Sequence, residues 1–143
     1  MNGILRMYFK EINRFCKRVI RSLDTKCIIL YGSLARGDFN ERSDIDLIVI
    51  ASNLPENYYK RAELLSDLIV SAVPIEPLGY TPDEFIKMIQ NRHCTSLFAM
   101  TEGKPLYGKK YFAFLMKIYK ALAEEYKLVK RESAWIPENL TAI

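Results

Sequence analysis

Two aspartates, Asp44 and Asp46, stand one residue apart at the start of an apolar run that extends to Ile50. Successive side chains of a β-strand point to opposite faces, so the pattern predicts a strand with both carboxylates on one face. Two carboxylates this close repel each other unless a positive charge lies between them. A Mg²⁺ ion is suited to binding both carboxylates, because it prefers oxygen ligands and keeps coordination positions open for other oxygens. The pair therefore predicts a metal site at the start of this strand.

A second candidate group, Gly32 and Ser33, follows an earlier apolar run, Cys27–Tyr31. That run is typical of a buried strand, and the Gly-Ser pair marks the point where the chain leaves it and enters a short helix. Backbone N–H groups at such a turn, together with a serine hydroxyl, can hold a phosphate. A phosphate-binding turn beside a carboxylate metal site is typical of enzymes that transfer phosphoryl or nucleotidyl groups.

The loop between these two strands supplies two further candidates, Arg36 and Ser43. A guanidinium matches phosphate oxygens in a two-pronged geometry, so Arg36 is predicted to contact a triphosphate. The alternative for Arg36 is a surface ion pair with Asp38 or Glu41. Ser43 is predicted to cap or orient the aspartate that follows it, and the alternative is an ordinary turn serine.

The complete pattern is a strand, Gly-Ser, a gap of ten residues with Ala35-Arg36-Gly37 inside it, and Asp-x-Asp at the start of the next strand. This stretch resembles the nucleotidyltransferase superfamily that includes DNA polymerase β. It is most similar to the minimal nucleotidyltransferases (MNT) of prokaryotes, which are often encoded beside a partner of the HEPN family. The resemblance covers about residues 25–80. It implies the polymerase β-like fold, a small mixed sheet with helices packed on it, in one domain over 1–143.

The resemblance also implies a third carboxylate on the strand that follows the first helix after Asp46. Glu76, in the segment 74–80, is the acidic residue at that place, where the family more commonly has aspartate. The predicted catalytic and metal-binding residues are Asp44, Asp46 and Glu76. The predicted nucleotide-binding residues are Gly32, Ser33, Arg36 and Ser43. Two Mg²⁺ ions and ATP as substrate are expected with them.

The same resemblance implies a function. The leading hypothesis is Mg²⁺-dependent transfer of AMP from ATP to an acceptor hydroxyl, a tyrosine of a partner HEPN toxin, which would make the chain an antitoxin. After Tyr107 the chain offers only one long helix and a tail, so the acceptor is expected in an open cleft or on another protein. One alternative is a catalytically weak or inactive binding module that neutralises its partner by forming a complex. Another is an enzyme that adenylylates a small molecule such as an antibiotic.

Composition sets outer bounds on these hypotheses. The 143 residues suffice for one domain with a core, and 50% hydrophobic with 27% charged residues is typical of a globular protein. A net charge of +4 permits an anionic nucleotide or an acidic partner and does not require nucleic acid. Three cysteines without metal-type spacing favour a reducing cytoplasm. No apolar run approaches membrane-spanning length, and both homo- and hetero-oligomers remain open.

The elements around these residues are predicted from their apolar spacing. Strands alternate with helices, which is typical of an α/β or α+β sandwich with a small mixed sheet. Apolar residues at three- and four-residue spacing predict helices over 2–23, 56–73, 81–92 and 109–131, with a further helical turn over 96–100. Segment 74–80 is predicted at a sheet edge because of its two prolines, and 103–108 as a last short strand. His93 is predicted to cap a helix, and Trp135 either packs on the domain or anchors a partner.

Overall fold

The centre of the molecule is a mixed β-sheet. The computed structural model describes residues 3–40, 42–126, 128–131 and 134–137, with side chains described up to residue 126. The strands of the central sheet are β1 (Thr25–Tyr31), β2 (Ile45–Ala51), β3 (Ile75–Tyr80) and β4 (Lys104–Tyr107). Their order is β3-β2-β1-β4; β1 pairs antiparallel with β2 and β4, and β2 pairs parallel with β3. The predicted fold class, a small mixed sheet with helices packed on it, is confirmed.

Helices connect and cover these strands. They are α1 (Gly3–Ser22), α2 (Ser33–Arg36), α3 (Tyr58–Asp67), α4 (Pro82–Gln90), α5 (Cys94–Glu102) and α6 (Lys109–Tyr126). A separate two-stranded antiparallel sheet follows, formed by β5 (Leu128–Arg131) and β6 (Ala134–Pro137). Within the part of the chain that the structure describes, none of the helices has the length and apolar character needed to cross a membrane.

The two faces of the central sheet bury separate apolar clusters, because side chains alternate between the faces along each strand. In β1, Ile28 and Leu30 point to the face that α1 and α3 cover, whereas Cys27 and Ile29 point to the face that α4, α5 and α6 cover. The helices close the two clusters with buried side chains, among them Phe15, Leu65, Phe85, Ala99 and Leu115. The strand β2 is therefore covered on both faces, and Asp46 is its one residue that is not fully buried.

The strand β3 forms one edge of the sheet, as predicted from the two prolines of segment 74–80. Pro77 has no N–H to offer to a neighbouring strand. The N–H of Ile75 donates to the carbonyl of Val73 (2.8 Å), and the carbonyl of Gly79 accepts from Nη1 of Arg61 (3.1 Å). Because these backbone groups are already engaged, the edge is protected from pairing with a further strand.

The predictions for the helix caps and the short strand in the middle of the chain are confirmed. His93 is the N-cap of α5, where its Nδ1 accepts from the N–H of Thr95 (3.3 Å). The helix α4 begins with a reciprocal capping box between Thr81 and Glu84. The short strand predicted over 103–108 is β4, which is the last strand of the central sheet along the chain and forms its second edge.

For two helices, the ends predicted from the sequence are wrong. The helix predicted over 56–73 is α3, which begins only after Asn57, whose side chain accepts from the N–H of Lys60 (3.0 Å). It ends at Asp67, where the N–H of the C-cap residue Leu68 donates to the carbonyl of Leu65 (3.2 Å) and so closes the helix with a tighter last turn.

The helix predicted over 109–131 ends at Tyr126. The segment Leu128–Arg131 is instead the strand β5, which pairs with Ala134–Pro137. Local periodicity carries no information about a strand partner further along the chain, which is why the prediction failed here. Trp135 belongs to β6, and its side chain lies outside the described residues, so neither predicted role of Trp135 is tested.

Candidate active site

The pairing of three strands places three polar side chains in one row. Asp46 lies in register with Tyr31 of β1 on one side and with Glu76 of β3 on the other. Residues directly opposite each other in neighbouring strands share a face, so the three side chains stand side by side across the sheet. The neighbouring residues Ile45, Leu47 and Val49 of β2 point to the other face of the sheet, into the apolar cluster that α1 and α3 cover. Asp46 therefore lies on the opposite face from these residues, while Asp44 precedes β2, so a face shared by the two aspartates stays a prediction.

Gly32 lies against this row at the end of β1. It is the N-cap of α2 with φ 78° and ψ −157°, a backbone conformation that is essentially restricted to glycine. A Cβ atom at this position would collide with the carboxylate of Asp46, whose Cγ would be 3.2 Å away. The glycine therefore serves two purposes, since it permits the sharp exit from β1 and leaves room for the carboxylate.

The helix α2 begins at Ser33, immediately after this turn. The N–H of Arg36 donates to the carbonyl of Gly32 (3.0 Å), and the N–H of Gly37 donates to that of Ser33 (2.9 Å). The earlier N–H groups of the turn have no acceptor within the helix, as in the first turn of any helix. These donors and the Ser33 hydroxyl lie next to Gly32, the residue that lies against Asp46. The arrangement therefore suits the binding of an anion beside the carboxylates.

Arg36 projects from α2 and is held by two carboxylates. Its Nη1 donates to Glu102 of α5 at 3.1 Å, and its Nε donates to Asp38 at 3.4 Å. The surface ion pair with Asp38, the alternative for this arginine, is thus present in the structure, while Glu41 lies outside the described residues. The contact with Glu102 was not predicted.

Ser43 occupies a turn before β2. Its hydroxyl accepts from the N–H of Asn40 (3.2 Å), and its own N–H donates to the carbonyl of Asn40 (3.0 Å). The structure thus shows Ser43 as a turn serine, and a role in nucleotide binding stays a prediction. Asp44 follows directly and is exposed just ahead of β2.

Like charges and burial act together on Asp46. Burial raises the pKa of its carboxyl, the charges of Asp44 and Glu76 raise it further, and the charge of Arg36 opposes them. Burial, followed by the charges of Asp46 and Glu76, also raises the pKa of the Tyr31 phenol, to about 12. Asp44, Asp46 and Glu76 therefore form an anionic cluster whose self-repulsion a bound cation would relieve.

The donor chemistry of this cluster suits a hard divalent cation. Asp44, Asp46 and Glu76 offer only carboxylate oxygens, the ligands that Mg²⁺ prefers. Nevertheless, within the described residues no three His, Cys, Asp or Glu side chains are arranged as a ready-made metal site. The structure brings these carboxylates into electrostatic contact and leaves their assignment as metal ligands a prediction.

A cleft of about 230 Å³ opens beside the row. It is lined by Tyr31, Gly32, Arg36, Asp46, Phe98 and Glu102. Three of these residues, Tyr31, Phe98 and Glu102, were not predicted from the sequence. Tyr31 could have been found from its position in the strand that ends at Gly32, because strand alternation predicts its face. Phe98 and Glu102 carry no local signal, because α5 reaches the cleft only through the tertiary fold.

Comparison with known proteins identifies the family of this chain. The model of the family "Polymerase beta, Nucleotidyltransferase" matches residues 10–112. The chain therefore belongs to the polymerase beta nucleotidyltransferase family, and it is a nucleotidyltransferase. A putative protein adenylyltransferase of Methanocaldococcus jannaschii is 29% identical over 143 aligned residues, covering 94% of this chain and 92% of that protein.

Two solved structures share the fold. A crystal structure of a toxin–antitoxin with AMP-PNP contains a chain with TM-score 0.54 and 19% identity, covering 80% of this chain and 91% of that one. A structure of a tri-AMPylated Shewanella oneidensis HEPN toxin in complex with its MNT antitoxin gives TM-score 0.50 and 19% identity, covering 84% and 92%. At such identities the likeness shows the fold alone.

Proposed function

We propose that this chain transfers AMP from ATP to a tyrosine hydroxyl of a HEPN-family toxin and so acts as an antitoxin. The observation that carries the proposal is the row of Tyr31, Asp46 and Glu76 beside the Gly32 turn, within the segment that matches the nucleotidyltransferase family. The relative in Methanocaldococcus jannaschii is named a putative protein adenylyltransferase, which supports a protein as acceptor.

The phosphates of ATP are assigned to the turn between β1 and α2. The first N–H groups of α2 and the hydroxyl of Ser33 hold the β- and γ-phosphates, and the glycine before them lets the backbone approach. Arg36 donates from one side to the same phosphates. Ser43 supports the turn that leads into β2 and completes the nucleotide-binding set.

The carboxylates act at the α-phosphate. Asp44, Asp46 and Glu76 would hold Mg²⁺, with two ions proposed, and when bound the metal neutralises charge on the entering and leaving oxygens. The acceptor oxygen forms a bond to the α-phosphorus, and the bond from that phosphorus to the bridging oxygen of pyrophosphate breaks. Glu76, which is exposed at the open end of the row, accepts the proton of the acceptor hydroxyl.

The partner follows from the relatives and from the open site. One structural neighbour is a complex of an MNT antitoxin with an AMPylated HEPN toxin. In this chain Glu76 stands on the edge strand β3, so a hydroxyl from another protein has an unobstructed approach to it. We therefore propose a protein partner that presents its hydroxyl at this edge, and a cytoplasmic setting, where ATP is abundant, is proposed with it.

The proposal is tested by transfer of label from α-labelled ATP in the presence of Mg²⁺. The full chain and an Asp44→Asn/Asp46→Asn variant are each incubated with the HEPN-family protein encoded in the same host. We expect label on the HEPN protein with the wild type and none with the variant, and replacing the labelled tyrosine by phenylalanine should abolish it. A HEPN protein that stays unlabelled with the active wild-type chain would disprove the proposal.

A second candidate, a binding module that neutralises its partner by complex formation, is favoured by one observation. Among the described residues the carboxylates are not pre-arranged around a metal. The two functions predict different behaviour of the Asp44→Asn/Asp46→Asn variant in cells that express the toxin. If protection depends on catalysis, the variant fails to protect, whereas a binding module protects as well as the wild type.

A further inference from the structure

We propose that Glu102 is a positioning residue, which holds the guanidinium of Arg36 against the wall of the nucleotide cleft. The inference rests on the proposed function, in which Arg36 contacts the triphosphate. Glu102 lies 66 residues further along the chain, on a different helix, yet its Oε2 is 3.1 Å from Nη1 of Arg36. Both side chains line the cleft that contains Asp46.

The two ion pairs of Arg36 differ in their surroundings. The side chain of Glu102 is 12% exposed, whereas that of Asp38 is 64% exposed and its contact is longer, at 3.4 Å. An exposed pair at such a distance contributes little, because water and salt screen it. Glu102 therefore sets the orientation of Arg36, and Asp38 is the natural comparison.

The backbone that carries Glu102 is firmly held. It is the last residue of α5, and Ala99 and Met100 of the same turn are buried in the core. The following residue, Gly103, donates from its N–H to the carbonyl of Ala99 (3.0 Å) and packs so closely on β1 that a Cβ would lie 2.7 Å from Cγ2 of Ile29. A carboxylate on such a rigid element can fix a partner side chain, as second-layer residues do in other sites.

The arginine retains donors for a phosphate while this contact persists. Glu102 engages Nη1 and Asp38 engages Nε, and Nη2 carries two further N–H groups. An arginine held in place loses less side-chain freedom on binding a ligand than one that is free in solvent. Glu102 thus favours triphosphate binding, although its own charge repels the triphosphate.

The test is the dissociation constant of the ATP analogue with a methylene group between the α- and β-phosphorus, measured calorimetrically with Mg²⁺. Glu102→Ala is expected to weaken binding about three- to tenfold, the range for a partly exposed charged hydrogen bond. Glu102→Gln keeps an acceptor oxygen at the same reach and should recover part of the loss. Asp38→Asn, the matched control, should change affinity less than about twofold.

A double-mutant cycle with Arg36→Ala separates positioning from a general effect on the fold. If Glu102 acts through Arg36, Glu102→Ala causes no further loss in the Arg36→Ala background. Unchanged or tighter binding by Glu102→Ala, or equal losses in both backgrounds, would overturn the inference alone. Failure of the wild-type chain to bind the analogue would overturn the proposed function as well.

Discussion

Replacing Gly32 by alanine probes the contact between the phosphate turn and Asp46. The native φ of 78° and ψ of −157° place this residue in a region that alanine avoids, and the new Cβ would collide with the Asp46 carboxylate. Gly37 is a matched control on the same short helix. It also has positive φ (93°, with ψ 5°), but a Cβ there has no heavy atom within 4 Å.

The magnitudes follow from these two environments. Gly37→Ala carries only the strain of a left-handed residue, about 1–2 kcal/mol. Gly32→Ala carries about 1–3 kcal/mol for its rarer conformation. In addition, moving Asp46 off its preferred rotamer costs about 1 kcal/mol. More important for activity, displacing a reacting group by about 1 Å lowers a rate on the order of 100-fold.

Two measurements on both variants separate stability from catalysis. Urea denaturation gives the loss in free energy of unfolding, which should be moderate for Gly37→Ala and larger for Gly32→Ala. AMP transfer from α-labelled ATP, assayed where both variants are folded, should fall on the order of 100-fold for Gly32→Ala and remain within a few-fold of wild type for Gly37→Ala. Equal activities of the two variants would refute the reasoning that Gly32 makes room for Asp46.

Two further predictions concern the scaffold. Glu84→Gln removes the charged partner of Arg61, which is 4% exposed and 2.8 Å from Glu84, and should lower the free energy of unfolding by about 1–2 kcal/mol. Burial raises the pKa of Glu84, but its hydrogen bonds to Thr81 and Arg61 outweigh burial and leave the pKa below its ordinary value. The difference in free energy of unfolding between the wild type and Glu84→Gln is therefore complete above the ordinary pKa of a glutamate carboxyl. It shrinks as the pH falls through the lowered pKa of Glu84 in the folded protein. A difference that is constant with pH would contradict this. Leu115→Ala should lower the free energy of unfolding by about 2–5 kcal/mol in thermal or urea unfolding, because Leu115 is the fully buried residue that anchors α6. A smaller loss of stability would show that α6 is loosely packed.

The phosphate turn and the carboxylate strand could be predicted because their signals are local. Gly32 and Ser33 end a run of apolar residues, and Asp44 and Asp46 open another, so both strands and the face of Asp46 could be predicted from the sequence. Strand alternation then fixes which side chains stand together, as the register of β1 with β2 shows.

The rest of the site depends on contacts between distant segments. Glu76 lies beside Asp46 only because β3 pairs parallel with β2, a register that periodicity cannot supply. Phe98 and Glu102 enter the cleft because α5 packs its other side on the core, so a helix pattern alone does not reveal them. The true end of α6 was likewise missed, because the segment after it pairs with a later strand.

The central claim is that this site transfers a nucleotidyl group, and the position of the label in ATP tests it most directly. Parallel reactions with α-labelled and γ-labelled ATP, Mg²⁺ and the HEPN-family protein from the same host are analysed for label on protein and for released pyrophosphate. We expect α-label on the acceptor, γ-label in pyrophosphate, and loss of both in the Asp44→Asn/Asp46→Asn variant. Label from γ-labelled ATP on the acceptor would show phosphoryl transfer instead and would contradict the account.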